Sequence, residues 1–501
     1  MQKKKCPWVL WFDGSFEWPS HQYIIPSVVK MLERVPARVH RFKAEELDRK
    51  TAREIQEGAS CLILIPPLNR GLQLLQQLRT QFGVHTPAIL METSHLNARG
   101  QVFFEYHEIL TAADSFVACA QPGYELLKEA LQGHKRVYRI PWPITAGDMG
   151  PVQPRVRAAF RRSLGLKPDD KMVVFSGRLT PQKNIHGLLH ALKLAREKVP
   201  DIHLFLLGDF ADEDSPYLGL VKRRDYAREI LQLVRELGLQ DYVHFKGNIW
   251  RRHLRFFMAA ADVHASLTVY YREEFGFAVA EGLTCGAPTL VTAWGGGADA
   301  VLGGGAMGVP VDVGNNGPRA DIRGAARALV ELMEPKTNEL WRRKALAYAN
   351  SELRDERVAA KWRKLTAAYA NPVRPRGTAE ISTRLFETNF ELIANWPVTH
   401  SGRVYWTPSD SYLKWVLGTY ALGGVKLTKA SKTYIHPGFD LKTGRLGEPI
   451  AFHREIKIAP RERADLKRHF GRDGRGSVSW SAIKDYAWAG RLRDAGVLLS
   501  F

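Results

Sequence analysis

An α/β chain built from two Rossmann-like domains, with a small α+β extension behind them, is what this sequence predicts from three observations. Short apolar runs alternate with amphipathic helical patterns in two separate series, one in the first third of the chain and one from about residue 171. Pro141-Trp142-Pro143, Gly150-Pro151 and Pro154 interrupt every periodicity between the two series. Beyond Asn371-Pro372-Val373-Arg374-Pro375-Arg376-Gly377 the alternation stops, and aromatic residues fill 16 of the last 126 positions.

In the first series, Val9-Leu10-Trp11-Phe12 reads as a strand and residues 22–34 as an amphipathic helix. Cys61 to Ile65, Pro87 to Met91 and Ser115 to Ala118 are further strands. Continuous apolar runs of this length suit parallel strands covered on both faces. The second series places strands at Lys171–Phe175, His203–Leu207, Val243–Phe245, Ala261–Ala265 and Thr289–Val291. Helices are expected at Ile185–Lys198, near 219–237, near 251–260 and from about Phe275, with a helical stretch over 321–370. The domains expected are 1–145, 146–372 and 376–501, which accords with 501 residues being too many for one core. Two facing Rossmann-like domains would enclose a cleft, where such folds bind ligands.

Composition narrows the function. Hydrophobic residues at 45% and charged residues at 25% describe an ordinary globular chain, not a disordered, collagenous or coiled-coil one. No apolar run approaches the length of a membrane helix, and Asp13 cuts short the apolar start, so no signal peptide is expected. Cys6, Cys61, Cys119 and Cys285 lie too far apart for a zinc motif or a disulfide framework, which points to reduced thiols in a cytoplasmic protein. Net charge is +20, with 18 basic against 15 acidic residues in 1–150, 34 against 25 in 151–375 and 20 against 12 in 376–501. An excess of this kind suits a phosphate-bearing partner: a nucleotide, an anionic membrane or a nucleic acid.

Three motifs carry the chemistry. The first is Glu273-Glu274-Phe275-Gly276-Phe277-Ala278-Val279-Ala280-Glu281, followed by Cys285-Gly286-Ala287-Pro288. Gly276 permits close approach of backbone amides to a ligand, a helix start behind it favours phosphate, and carboxylates accept hydrogen bonds from sugar hydroxyls. The second is Ser176-Gly177-Arg178-Leu179-Thr180-Pro181-Gln182-Lys183-Asn184, a strand end and turn bearing two cations suited to a diphosphate. The third is the glycine-rich Trp294-Gly295-Gly296-Gly297-Ala298-Asp299. Asp212-Glu213-Asp214 is read as a solvated loop and not as a metal anchor.

In this order and spacing, the motifs from Ser176 to Asp299 resemble the retaining glycosyltransferases of GT-B fold, family 4 in particular. Leu206-Leu207-Gly208-Asp209, Val243 to Gly247 and Ala261 to Ser266 belong to the same pattern. The first domain matches more loosely, through His95, Ala113 to Ala118 and Val137 to Pro141. The resemblance implies that Arg178 and Lys183 hold the donor diphosphate and that Glu281 binds the ribose. It places Glu273 on the donor sugar beside the Phe275-Gly276-Phe277 backbone, His95 on the same sugar and Gly14 next to the diphosphate. It implies no cofactor or metal, and a nucleotide sugar, UDP- or GDP-linked, as donor. The acceptor it favours is a glycan or lipid-linked glycan, with the basic face docking at a membrane surface. A nucleic-acid acceptor stays open, on clusters such as Lys222-Arg223-Arg224 and Arg251-Arg252 with Arg255. Three positions depart from the family pattern: Asp13-Gly14-Ser15 for a Gly-Gly pair, Asn184 for a glycine, and Asp299 for a glutamate.

Overall fold

The structure is a computed structural model that describes residues 5–12, 21–35, 38–42, 47–65, 68–92, 106–131, 134–144, 149–215, 219–270, 273–314, 317–370, 417–421, 428, 431–446, 456 and 458–501. The chain divides into two compact units. One comprises Met1–Met149, Glu274–Gly276 and Tyr348–Ala394; the other comprises Gly150–Glu273, Phe277–Ala347 and Asn395–Phe501.

The first unit runs β1 (Cys6–Phe12), α1 (His21–Leu32), β2 (Arg38–Phe42), α2 (Arg49–Gly58), β3 (Ala59–Leu64) and α3 (Leu68–Thr80). It continues through β4 (Ala88–Glu92), β5 (Ser115–Ala118), α4 (Gln121–Ala130) and β6 (Val137–Arg139). The six strands form one parallel sheet in the order β2-β1-β3-β4-β5-β6. Its centre is as apolar as the sequence requires, with Cys61, Leu62, Ile63, Ile89 and Phe116 excluded from solvent. β2 has no apolar run to announce it, because an edge strand tolerates residues such as Arg38 and Arg41.

The second unit runs α5 (Pro154–Ser163), β7 (Lys171–Ser176), α6 (Ile185–Arg196), β8 (Ile202–Leu207), β9 (Glu213–Ser215), β10 (Gly219–Val221), α7 (Arg223–Glu236) and β11 (Val243–Gly247). Then come α8 (Arg251–Ala260), β12 (Val263–Ser266), α9 (Phe277–Thr284), β13 (Thr289–Thr292), α10 (Gly295–Leu302) and β14 (Met307–Val309). The parallel sheet has the order β11-β8-β7-β12-β13-β14. The hairpin β15 (Val311–Gly314) and β16 (Gly317–Ala320) precedes α11 (Ile322–Met333) and α12 (Pro335–Tyr348).

Two expectations need correction. The helix expected from 219 begins only at Arg223, after the antiparallel hairpin β9–β10. The Asp212 carboxylate accepts from the Arg223 amide at 2.9 Å, which satisfies a helix-start donor and fixes the boundary there. Asp212-Glu213-Asp214 is not simply a solvated loop either: Glu213 is buried and pairs with Arg178 at 3.3 Å.

The sequence assigns residues 146–372 to one domain, whereas the chain from Tyr348 groups with the first unit. There α13 (Asp355–Ala367) packs along α1, Arg34 bonds Glu356 at 2.9 Å, and the Tyr369 hydroxyl donates to the Ala113 carbonyl at 2.9 Å.

The described part of the extension belongs to the second unit. It holds β17 (Lys432–Ile435), the short hairpin β18 (Phe439–Asp440) and β19 (Arg445–Leu446), α14 (Pro460–Phe470), β20 (Ser477–Ser479), α15 (Ala487–Asp494) and β21 (Leu498–Ser500). β17 lies between β20 and β21, antiparallel to both. Phe439, Leu466, Phe470, Ile483 and Trp488 make a separate small core. Tyr434 bonds Asp321 at 2.6 Å and Arg493 bonds Asp312 at 2.5 Å, fastening this core to β15 and to the start of α11.

Candidate active site

Both sheets reverse their strand order once, and in doubly wound sheets the carboxyl ends beside that reversal are where ligands bind. In the second unit the reversal falls between β7 and β12. β7 runs directly into Gly177 and Arg178, and a short 3-10 turn after it carries Lys183. β12 leads to Thr268, Tyr270 and Glu273. Residues 90 apart in sequence therefore share one end of the sheet.

They touch. The Lys183 ammonium donates to the Glu273 carboxylate, and Thr268 Oγ1 reaches the same carboxylate oxygen at 3.3 Å. Arg178 and Lys183 both lie over the Tyr270 ring, at 5.7 and 5.0 Å from its centroid. The negative face of the ring favours a cation on it and so gathers the two positive charges. The Val269 amide donates to the Gln182 carbonyl at 2.9 Å, tying the two loops together.

Asn184, a departure from the family pattern, has a physical reason. Its φ is +57, a left-handed conformation in which asparagine is tolerated. Its side chain accepts from the Gly187 amide at 3.2 Å, capping α6, and donates to the Leu267 carbonyl at 3.0 Å. The residue that breaks the pattern thus fixes the Lys183 turn.

Glu281, on α9, is buried and bonds the Arg251 guanidinium. Burial pushes its pKa up, and Arg251 opposes the rise. Phe275 is buried, Gly276 has φ +73, and Phe277 opens α9. Glu274–Gly276 group with the first unit. Gly14 and His95 lie outside the described residues.

Tyr270 and Thr268 were not singled out by the sequence, and Glu213 and Arg251 stood out only in other roles. An aromatic or a threonine after a strand carries no sequence signal by itself. Arg251 did stand out, but as part of a basic cluster; its neighbour Arg255 donates to the carbonyls of Gly150 and Pro151 at 3.1 and 2.9 Å. Among the described residues no group of three or more His, Cys, Asp or Glu side chains could hold a metal ion.

Arg178, Lys183, Glu273 and Glu281 all fall within residues 156–332, which match the family model described as "Glycosyl transferases group 1". That segment is a group 1 glycosyltransferase segment.

Curated relatives match part of the chain as well. The chain is 30% identical over 234 residues to a D-inositol 3-phosphate glycosyltransferase of Xylanimonas cellulosilytica, covering 46% of this chain and 52% of that protein. It is 30% identical over 165 residues to the mannosylfructose-phosphate synthase of Agrobacterium fabrum, covering 32% and 34%. The chain thus spans about half the length, or less, of the curated relatives it matches. Among solved structures, HepE of Anabaena with UDP-glucose aligns at TM-score 0.56 and 17% identity, over 72% of this chain and 99% of HepE. Sucrose-phosphate synthase of Thermosynechococcus elongatus aligns at TM-score 0.52 and 20% identity, over 73% and 100%. At that identity the likeness concerns the fold, which is GT-B, and the group 1 segment supplies its second Rossmann-like unit.

Proposed function

We propose that this chain is a retaining, metal-independent glycosyltransferase that moves a sugar from a nucleotide-diphosphate sugar to a hydroxyl of a glycan or lipid-linked glycan. The observation that carries the proposal is the pairing of Arg178 and Lys183 over Tyr270 at the β7–β12 switch point. When the bond from the anomeric carbon to the diphosphate breaks, its electron pair stays on the phosphate oxygen. Fixed cations there stabilise the transition state more than the ground state. Glu213 and Glu273 balance those charges in the protein, and an arriving diphosphate competes with them for the guanidinium and the ammonium. Glu281 accepts from ribose hydroxyls, and Glu273 from the donor sugar. UDP is the favoured carrier over GDP because HepE binds UDP-glucose on the same fold.

A nucleic-acid acceptor has weaker support. Arg251 and Arg255 are engaged within the unit, and Phe439, Phe470 and Trp488 of the extension pack into a core rather than forming a stacking platform. No helix among the described residues is long and apolar enough to cross a membrane. A cytoplasmic protein held at an anionic membrane surface by its net charge of +20 suits a lipid-linked acceptor.

UDP-, GDP- and ADP-sugars are to be screened for hydrolysis and for a rise in melting temperature, and the active donor then offered to lipid, glycan and DNA acceptors. At least one UDP-sugar should both stabilise and hydrolyse. No response to any nucleotide sugar overturns the proposal.

A further inference from the structure

Among the described residues of the extension, Tyr420 packs next to the candidate donor site. Tyr420 lies in the described segment 417–421, its side chain is wholly excluded from solvent, and its ring packs on Trp294 with centroids 5.5 Å apart. Trp294 is likewise fully buried and stands immediately before α10. From there two hydrogen bonds run to the turn that carries the site. Trp294 Nε1 donates to the Tyr270 carbonyl at 2.9 Å, and the Gly296 amide donates to the Glu273 carbonyl at 2.9 Å. The turn is therefore held at both ends, at the residue under the two cations and at the residue paired with Lys183.

Gly295 shows how tightly the layers are pressed. Its φ is +50, and a Cβ added there would lie 2.1 Å from the Glu273 carbonyl oxygen and 3.1 Å from Tyr420 Cδ1. No side chain fits there. On the strand side, Thr292 Oγ1 donates to the Thr268 carbonyl at 2.6 Å, so β13 fixes the base of the same loop. Tyr420 adds ring packing on Trp294. The segment that bears it belongs to an extension anchored on the same unit by Tyr434–Asp321 and Arg493–Asp312.

We propose that Tyr420 is a positioning residue that holds the Tyr270–Glu273 turn in register through Trp294, making the extension part of the donor site. The inference rests on the donor-site reading given above for its effect on turnover, but not for its structural half. Removing the ring leaves a void beside Trp294, and the indole then loses the orientation that keeps its N–H on the Tyr270 carbonyl. Lys183 and Glu273 shift together, because each is anchored to the other and both to this turn.

The full chain is tested as Tyr420→Leu, Tyr420→Phe, Trp294→Phe and the Tyr420→Leu/Trp294→Phe double variant. Amide exchange is followed in peptides spanning 268–276 and 293–297, and UDP-glucose hydrolysis is followed alongside. Tyr420→Leu should speed exchange in both peptides, leave β7 and α6 unchanged, and lower the turnover number about tenfold. Tyr420→Phe, which keeps the ring, should restore both readouts. Trp294→Phe, which removes the indole donor together with part of the ring, should speed exchange in 268–276 even if Tyr420→Leu fails to fold. The double variant should be no worse than the worse single one, since both changes act on one route. Unaltered exchange in 268–276, loosening shared by β7 and α6, or additive losses in the double variant each overturn the proposal. A wild-type protein that ignores UDP-glucose and every other nucleotide sugar defeats the donor-site reading instead, and the exchange data still decide the role of Tyr420.

Discussion

Each Rossmann-like unit ties its sheet together with an aspartate placed just before an inner strand, and the two aspartates are served differently. Asp114, before β5, accepts from the Ala88 amide of β4 at 2.7 Å, from the Thr111 amide at 2.7 Å and from both terminal nitrogens of Arg79 at 2.8 and 2.7 Å. Asp262, before β12, accepts from the Met172 amide of β7 at 2.8 Å and from Arg157 and Arg161 at 2.8 Å each. The Asp114 side chain is 0% exposed and that of Arg79 5%, whereas the Asp262 side chain is 15% exposed. The first unit thus uses a sealed pair, the second a more open cluster of one acid and two bases. The same fold accepts either solution, because what it needs is an acceptor for the strand amide and a cation to neutralise it.

The largest effect should come from breaking the sealed pair. Asp114→Ala strands Arg79 without its counter-ion and should cost about 3–5 kcal/mol in urea unfolding. Asp262→Ala leaves two arginines that can turn towards water and should cost roughly half as much. Equal losses would show that burial does not separate the two clusters.

The second unit also carries the proposed leaving-group cations. Arg178→Ala or Lys183→Ala should lower turnover at least ~100-fold while the far-ultraviolet circular dichroism is kept. Near-normal rates in both variants would remove the second unit's claim to the leaving group.

Two residues beyond each aspartate stands a buried ring, Phe116 in the first unit and His264 in the second. His264 lies against Gly282 of α9, and burial lowers its pKa from 6.5 to about 4. The unfolded chain takes up this proton near pH 6.5 and the folded chain only near 4. The contribution is therefore complete above 6.5 and is lost as pH falls towards 4, the loss reaching about 2 kcal/mol at pH 5. His264→Phe should flatten the acid side of the stability profile by that amount, whatever its cost at pH 7.

Smaller changes test the ligand roles. Glu281→Gln should weaken UDP binding about tenfold, because an amide replaces a carboxylate acceptor and the ion pair with Arg251 is lost. Glu273→Gln should instead act chiefly on turnover. Least of all, EDTA should leave the rate unchanged; a loss reversed by magnesium would contradict the metal-independent reading.

The sequence alone determined what is local. Strands such as Ser115–Ala118 and helices such as Arg251–Ala260 are legible because apolar periodicity is a property of a few consecutive residues. The motifs that hold Arg178, Lys183, Glu273 and Glu281 are legible because each is a short run, and their order along the chain carries the family resemblance. Only the tertiary structure could decide who faces them. Glu213 looked solvated because its neighbours Asp212 and Asp214 are acidic, and it is buried because β9 and β10 pair. Tyr270 joins Arg178 and Lys183 because β7 and β12 are adjacent in the sheet, although 92 positions separate Arg178 from Tyr270. Tyr420 meets Trp294 from further away still. Burial and pairing across such distances depend on the whole packed chain, and no window of sequence contains both partners.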